Sequence, residues 1–275
     1  MRYRIITFLF CLVCACSGPG GSGDPPDERF VVLGPSLVEL MFSSGLGDRI
    51  VGVDRYSQWP PETAEITRVG GYIDPSYESI ASLDPTSIHS SGRSTRIMGI
   101  ASSLGIPFYS YCFDSLEGVY LALDSLHARY GAGARELRDR IERVLDSLAV
   151  EMEDAAPLGV MIVIYHEPGS SSMTVAGRDS FFGDILERVG CFIQAPAAGS
   201  WPMVSAEGAV SLDPDHVICL FPGREDSASI VGSELSFWSG LGIDADRVHC
   251  LFEPYMMIPG GRLDRIAVRI CSCLL

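Results

Sequence analysis

Beyond residue 28 the chain alternates short apolar runs with stretches whose apolar positions recur every three or four residues. Arg29-Phe-Val-Val-Leu33 reads as a strand running into Gly34-Pro35-Ser36, and Ser36 with Glu39 has the spacing of a capping box at a helix start. That helix runs through Phe42 to Gly45 or Gly47, and Ile50-Val-Gly-Val53 is the next strand. Strand, helix and strand within about 25 residues make a βαβ unit, which requires a parallel sheet covered on its faces. The pattern repeats with a helix over 77–83, a strand over 87–90, a helix over 97–104 and a strand over 107–111. From 116 to 153 the pattern is helical, broken once at Gly131-Ala-Gly133. Past the break Leu137, Ile141, Val144, Leu145 and Leu148 share one face, against Arg135, Glu136, Asp139, Arg140 and Glu142 on the other. A helix of about 21 residues spans about 31 Å, long enough for a strut between two lobes; a surface helix packed on one domain is the alternative. A second set follows, with strands over 159–165, 217–221 and 248–252, a helix over 180–189 and a closing helix over 262–273. Two α/β halves joined by one long helix are expected.

The first 28 residues follow other rules. In MRYRIITFLFCLVCAC, Arg2 and Arg4 precede an apolar run from Ile5 to Val13. That run is too short for a membrane-spanning helix, which needs about 20 residues, and it suits a secretory signal. Val13-Cys14-Ala15-Cys16 resembles a bacterial lipobox, with small Ala15 directly before Cys16; bulky Val13 makes Cys14 the weaker site for a lipid. Residues 17–28, SGPGGSGDPPDE, hold no hydrophobic residue and read as a tether reaching roughly 20 Å. The expected organisation is a lipoprotein signal peptide over 1–15, a lipid-anchored tether over 16–28, an N-terminal lobe over 29–131, a bridging helix over 132–154 and a C-terminal lobe over 155–275. The folded body would sit on the periplasmic or cell-surface side, held to the membrane through Cys16.

Charge narrows the partners. The 275 residues carry 35 acidic against 20 basic side chains, all of the latter Arg, for a formal charge of −15. That balance argues against nucleic acid or an anionic membrane surface. Six cysteines follow the tether (Cys112, Cys191, Cys219, Cys250, Cys271 and Cys273), with no C-x-x-C pair and no metal motif among them. An exported setting permits disulfides, whereas a cysteine inside an apolar strand, such as Cys219 in HVICLF, is more often a small core residue. G-x-S-x-G, H-E-x-x-H and P-loop motifs are absent. Tyr165-His166-Glu167 at a strand end is where an exported α/β hydrolase-like enzyme would place its chemistry, but no paired nucleophile and base accompanies it.

Aromatics at strand ends say more. Tyr56 and Trp59 follow the second strand, Tyr72 and Tyr77 flank the next junction, Tyr165 ends a strand, and Trp201 and Tyr255 lie in loops of the second half. Loops at the carboxyl ends of parallel strands line ligand crevices, and rigid rings there offer large contact area to a bulky ligand. Two acids stand out by symmetry: Ser76-Tyr-Glu78 leads to Leu83-Asp84-Pro85, and Ser205-Ala-Glu207 leads to Leu212-Asp213-Pro214. Each Glu suits a first helical turn on dipole grounds alone, and each would project a carboxylate from its own lobe toward a basic partner.

The segments VVLGPSLVELMFSSGLGDRIVGVDRYSQWPPE, VGGYIDPSYESIASLDP and SWPMVSAEGAVSLDPDHVI together resemble the class III substrate-binding proteins of ABC importers, the cobalamin-, haem- and ferric-siderophore-binding group, over residues 29 to about 273. The resemblance implies an α/β fold of two Rossmann-like lobes with central parallel sheets, one long bridging helix and a ligand cleft between the lobes. It implies that Glu78 and Glu207 dock into arginine pockets of a membrane permease. Tyr56, Tyr72 and Trp201 match cleft aromatics of cobalamin-binding members, Tyr72 replacing a tryptophan. Cys271 matches one half of a disulfide in that group, and Cys191 lies two positions from the other half. Thr86-Ser-Ile-His89-Ser departs from the group in being more polar. Tyr72 also stands where haem-binding members place an axial tyrosinate. Anionic ferric siderophores favour Arg-lined pockets, and only Arg55, Arg93, Arg178 and Arg224 fall near the expected cleft loops. The expectation is a monomeric solute-binding lipoprotein without catalysis or a cofactor of its own. It would hold cobalamin or a related corrinoid against Tyr56, Trp59, Tyr72, Tyr165, Trp201 and Tyr255 and deliver it to an importer permease. Haem or a ferric siderophore is the alternative ligand, and a sensor the alternative recipient.

Overall fold

Five strands, β1 (Phe30–Leu33), β2 (Ile50–Val53), β3 (Thr67–Arg68), β4 (Ser87–Ser91) and β5 (Phe108–Tyr111), form an all-parallel sheet in the order β3-β2-β1-β4-β5. The computed structural model describes residues 28–131, 133–155, 157–166, 170–197, 199–225 and 227–275. The expected signal peptide and most of the tether, including Cys16, lie outside the described residues. So does Glu167. Between the strands run α1 (Pro35–Ser43), α2 (Tyr77–Ser82) and α3 (Thr95–Leu104), and α4 (Leu116–Tyr130) follows the last. β1 is buried on both faces, as the centre of a covered parallel sheet requires. Alternation along it feeds two cores: Val31 and Leu33 pack with Ile80, Ile88, Ile97 and Ile100, while Phe30 and Val32 face Leu37, Leu126 and the long helix beyond.

His89 sits in β4 on the Phe30 face and is fully buried. Ser87 Oγ and the Tyr130 hydroxyl meet its Nε2 at 2.9 and 3.2 Å, and the Tyr111 hydroxyl meets Nδ1 at 3.1 Å. Burial, aided by the nearby Arg129 guanidinium, lowers its pKa to about 3. Within the polar Thr86–Ser90 stretch that sets this chain apart in sequence, Ser87 and His89 thus form a hydrogen-bonded core network with Tyr111 and Tyr130.

The bridging helix α5 (Ala134–Glu151) has 18 residues, shorter than its periodicity predicts, because Gly133 takes the N-cap and the chain leaves the helix at Met152. At 1.5 Å per residue it is about 27 Å long. Its buried face of Leu137, Ile141, Leu145 and Leu148 packs on α1 and α4 behind the first sheet and on elements of the second half. One continuous core therefore runs from Phe30 to Leu274.

The second half holds β6 (Gly159–His166), β7 (Ser172–Val175), α6 (Phe181–Arg188), β8 (Phe192–Ile193), β9 (Met203–Ser205), α7 (Ala206–Ser211), β10 (His216–Leu220), α8 (Ser227–Gly240), β11 (Val248–Leu251) and α9 (Leu263–Cys271). The strand order is β11-β10-β6-β7-β9, with β8 beside the first residues of β6. Strands β11, β10, β6 and β8 are parallel as expected, and the sheet is mixed only on one side, where β7 runs antiparallel to both β6 and β9. The few residues between β6 and β7 are too short for a crossover and permit only an antiparallel return.

The predicted capping box of Ser36 and Glu39 does not form. Pro35 occupies the first helical position, its fixed φ and missing N–H suiting that place, so Gly34, at φ 115°, becomes the N-cap of α1. Glu39 is left in the helix interior, facing the core.

Candidate functional site

The two symmetric acids are built alike. Ser76 Oγ accepts from Ser79 N at 3.2 Å and caps α2; Ser205 Oγ accepts from Gly208 N at 3.1 Å and caps α7. Both helices have six residues, with Glu78 and Glu207 exposed at the second. Each helix is followed by a left-handed aspartate, Asp84 at φ 44° and Asp213 at φ 48°, then by proline and a strand. Aspartate is among the few non-glycine residues that adopt this conformation readily. Among the described residues neither Glu78 nor Glu207 is in an ion pair. Each is bordered by exposed apolar side chains: Tyr77 and Ile73 near Glu78, and Val210 and Met203 near Glu207. An exposed carboxylate on a capped turn, without an ion pair among the described residues, can receive a guanidinium or ammonium from a partner.

The predicted aromatics separate into two groups. Tyr56 and Tyr165, each 62% exposed, project from the carboxyl ends of β2 and β6. Tyr72 is half-buried against the Val31–Ile88 core, its hydroxyl beside Gly92 at the end of β4. Trp201 precedes edge strand β9 and stands edge-on to Phe181 and Phe182, with ring centroids 6.3 and 6.4 Å away. These four, like Trp59 at 41% exposure, leave ring surface open to solvent.

Trp59 and Tyr255 are instead drawn together across the lobe junction by Arg262. Its guanidinium carbon lies 4.5 Å from the Trp59 ring centroid and 4.7 Å from that of Tyr255. The same guanidinium makes two hydrogen bonds to Glu39, whose side chain is 1% exposed. Burial raises the Glu39 pKa, and the hydrogen bond and charge of Arg262 only partly offset it. Arg140 of α5 donates to Gly261 O at 2.8 Å and meets Asp264 at 3.1 Å. Gly260 and Gly261 lie so close to α1 that a Cβ would stand 2.7 Å from Ser36 O and 2.1 Å from Ser43 Oγ, respectively. The segment before α9 is therefore clamped onto α1 and α5. A cavity of about 470 Å³ at this junction is lined by Trp59 among paired charges. Another of about 460 Å³, at the ends of β4 and β5, is lined by Ser91, Gly92, Arg93, Tyr111 and Cys112.

Sequence reasoning missed Arg262, while Arg93 of the second cavity is among the arginines expected near the cleft loops. Glu39 carried a usable signal, an acid inside the apolar run LVELMF, which calls for a buried partner. Nothing local to Pro259-Gly-Gly-Arg262 names that partner, which lies 223 residues away.

His166 does not head a catalytic group. Its Nδ1 lies 3.3 Å from Glu234 Oε1, its Nε2 lies 3.3 Å from Ser170 O, and its ring packs on Phe237. Cys191 and Cys271 are both buried free thiols. Burial raises both pKa values, that of Cys271 to about 12 with a further contribution from Cys191. Among the described residues no three His, Cys, Asp or Glu side chains come together as metal ligands, and no helix is long and apolar enough to cross a membrane.

Two α/β lobes meet at a clamped junction, with open rings in the loops around it. The periplasmic binding protein family matches residues 30–230, and the chain belongs to that family. The family is one of periplasmic binding proteins, which gives the hydrolase alternative no support and implies an extracytoplasmic location. The chain is 28% identical over 209 residues to a cobalamin-binding protein of Halobacterium salinarum, covering 71% of this chain and 54% of the relative. The chain spans about half the length of the curated relatives it first matches. Two solved structures share the fold. The periplasmic haem-binding protein of Vibrio cholerae superposes with a TM-score of 0.76 at 20% identity, covering 90% of this chain and 99% of that one. The periplasmic vitamin B12-binding protein of the same organism gives 0.73 at 21%, covering 90% and 96%.

Proposed function

We propose that the protein is an extracytoplasmic solute-binding lipoprotein, anchored through Cys16, that captures cobalamin or a related corrinoid and hands it to an ABC importer permease. The observation that carries the reading is the pair of identically built acidic turns. Glu78 and Glu207 are exposed, unpaired and fixed one per lobe, as docking onto two basic sockets requires. Relatives named for cobalamin support the ligand, and Tyr56, Tyr72, Tyr165 and Trp201 supply the open ring surface to hold it. Trp59 and Tyr255 act through Arg262 in shaping the junction beside it.

Titrating the protein's tryptophan fluorescence and visible absorbance with cyanocobalamin, haemin and ferric hydroxamates tests the ligand. Saturable quenching by cyanocobalamin is the expected result, and no response to it removes the corrinoid reading. Haem is the second reading, favoured by the Tyr72 hydroxyl at the end of β4. Haemin binding lost in Tyr72→Phe would establish it. Docking is tested separately: Glu78→Arg with Glu207→Arg leaves ligand affinity intact and abolishes uptake, whereas normal uptake by that variant overturns the assignment.

A further inference from the structure

Five of the six cysteines beyond the tether lie after residue 190, and two of them face each other across a strand pair. Cys219 of β10 and Cys250 of β11 are register partners in a parallel ladder. Such partners point to the same face on strands about 4.8 Å apart, inside the roughly 4.4–6.8 Å window of Cα separations that disulfides span. Exposure differs between them: Cys219 is buried and Cys250 only partly so. Behind Cys219 stands a buried carboxylate. Glu234 Oε2 accepts from Cys219 Sγ at 3.5 Å and from Trp238 Nε1 at 3.1 Å, while its Oε1 meets His166.

We propose that Cys219 and Cys250 form a redox-active dithiol that closes into a cross-strand disulfide by exchange with a disulfide-bearing oxidant in the extracytoplasmic space. Cys250 is the attacking sulfur. It is the more accessible of the two, Cys219 being buried against Glu234. Its thiolate displaces one thiolate from the oxidant, breaking that S–S bond and leaving a mixed disulfide on Cys250. Cys219 then gives its proton to Glu234, which already accepts from it, and attacks the Cys250 sulfur, expelling the second thiolate. In sum two protein thiols are oxidised, one external disulfide is reduced to two thiols, and the two protons released pass to those thiolates. Closure withdraws Cys219 from Glu234 and leaves that carboxylate to Trp238 and His166, so Trp238 emission reports the state of the pair. The proposal is independent of which ligand or partner the protein serves.

The experiment uses the full chain without ligand. Protein isolated with no reductant, and protein treated with oxidised glutathione, are denatured, alkylated with iodoacetamide, digested and weighed. The expected result is a cross-linked peptide pair joining Cys219 to Cys250, alkylated only after dithiothreitol. Closure already present in protein from cells identifies a cellular protein oxidant; closure only after glutathione identifies a small-molecule one. Cys219→Ser should trap a glutathionyl group on Cys250, and Cys250→Ser should leave Cys219 alkylatable throughout. Two alkylated thiols after oxidised glutathione, or a cross-link joining Cys250 to Cys273, overturns the proposal.

Discussion

The lobe junction and the outer acidic turns use the same side chain in opposite ways. Glu39 is held in α1 with 1% of its side chain exposed, its carboxylate gripped by a guanidinium that is itself stacked between two rings. Glu78 and Glu207 stand in first helical turns, open to solvent and without ion pairs among the described residues. Both Glu39 and Glu78 lie a few residues after a serine near a helix start, so local sequence does not separate them. What separates them is desolvation. Burial raises the Glu39 pKa in spite of Arg262, so the pair's importance lies in the penalty for breaking it, not in a net gain from having it. The outer acids carry no such penalty and are free to be used elsewhere.

Breaking the junction should therefore have the largest effect. Glu39→Ala leaves Arg262 without its counter-ion and should lower unfolding free energy by about 3–5 kcal/mol in a urea titration; adding Arg262→Leu should restore most of it. His89 sharpens the same point with a buried group kept neutral. Folded His89 takes up a proton only near pH 3, while the unfolded chain takes one up near pH 6.5. Between those values the unfolded state binds more protons. The stability is thus complete above pH 6.5 and declines by up to about 1.4 kcal/mol per pH unit as the pH falls toward 3, a slope that His89→Phe should flatten. Gly261→Ala, which forces a methyl onto Ser43, should lower stability by about 1–3 kcal/mol. Glu78→Ala and Glu207→Ala should each move it by less than about 0.5 kcal/mol. A loss from either outer substitution as large as that from Glu39→Ala would collapse the distinction between the two regions.

The βαβ rhythm of the first half was legible because Phe30–Leu33, Ile50–Val53 and the intervening helix obey hydrophobic periodicity. The helix α8 was not. Ser227–Gly240 mixes serine, glycine and β-branched residues with low helix propensity, and it buries little beyond Glu234 and Trp238. β7 and the edge strand β9 are short, and the direction of β7 is set by its tight return from β6. At the site, the positions of Glu78, Glu207 and the four open aromatics follow from strand-end arithmetic. The diversion of Trp59 and Tyr255 into the junction depends on Arg262, and no local pattern announces a contact made 223 residues away.

The clamp at residues 260–264 also bears on valency. With α9 and its leading loop held against α1 and α5, Glu78 and Glu207 become two contact points at a fixed separation. For a partner with two basic sockets the second contact is then intramolecular, and its strength depends on how well the spacings match. A partner matched in spacing gains affinity from two individually weak charge pairs, while one that is equally basic but mismatched gains only a single pair. The buried Glu39–Arg262 pair is one of the contacts that hold the two lobes, each with its exposed acid, together.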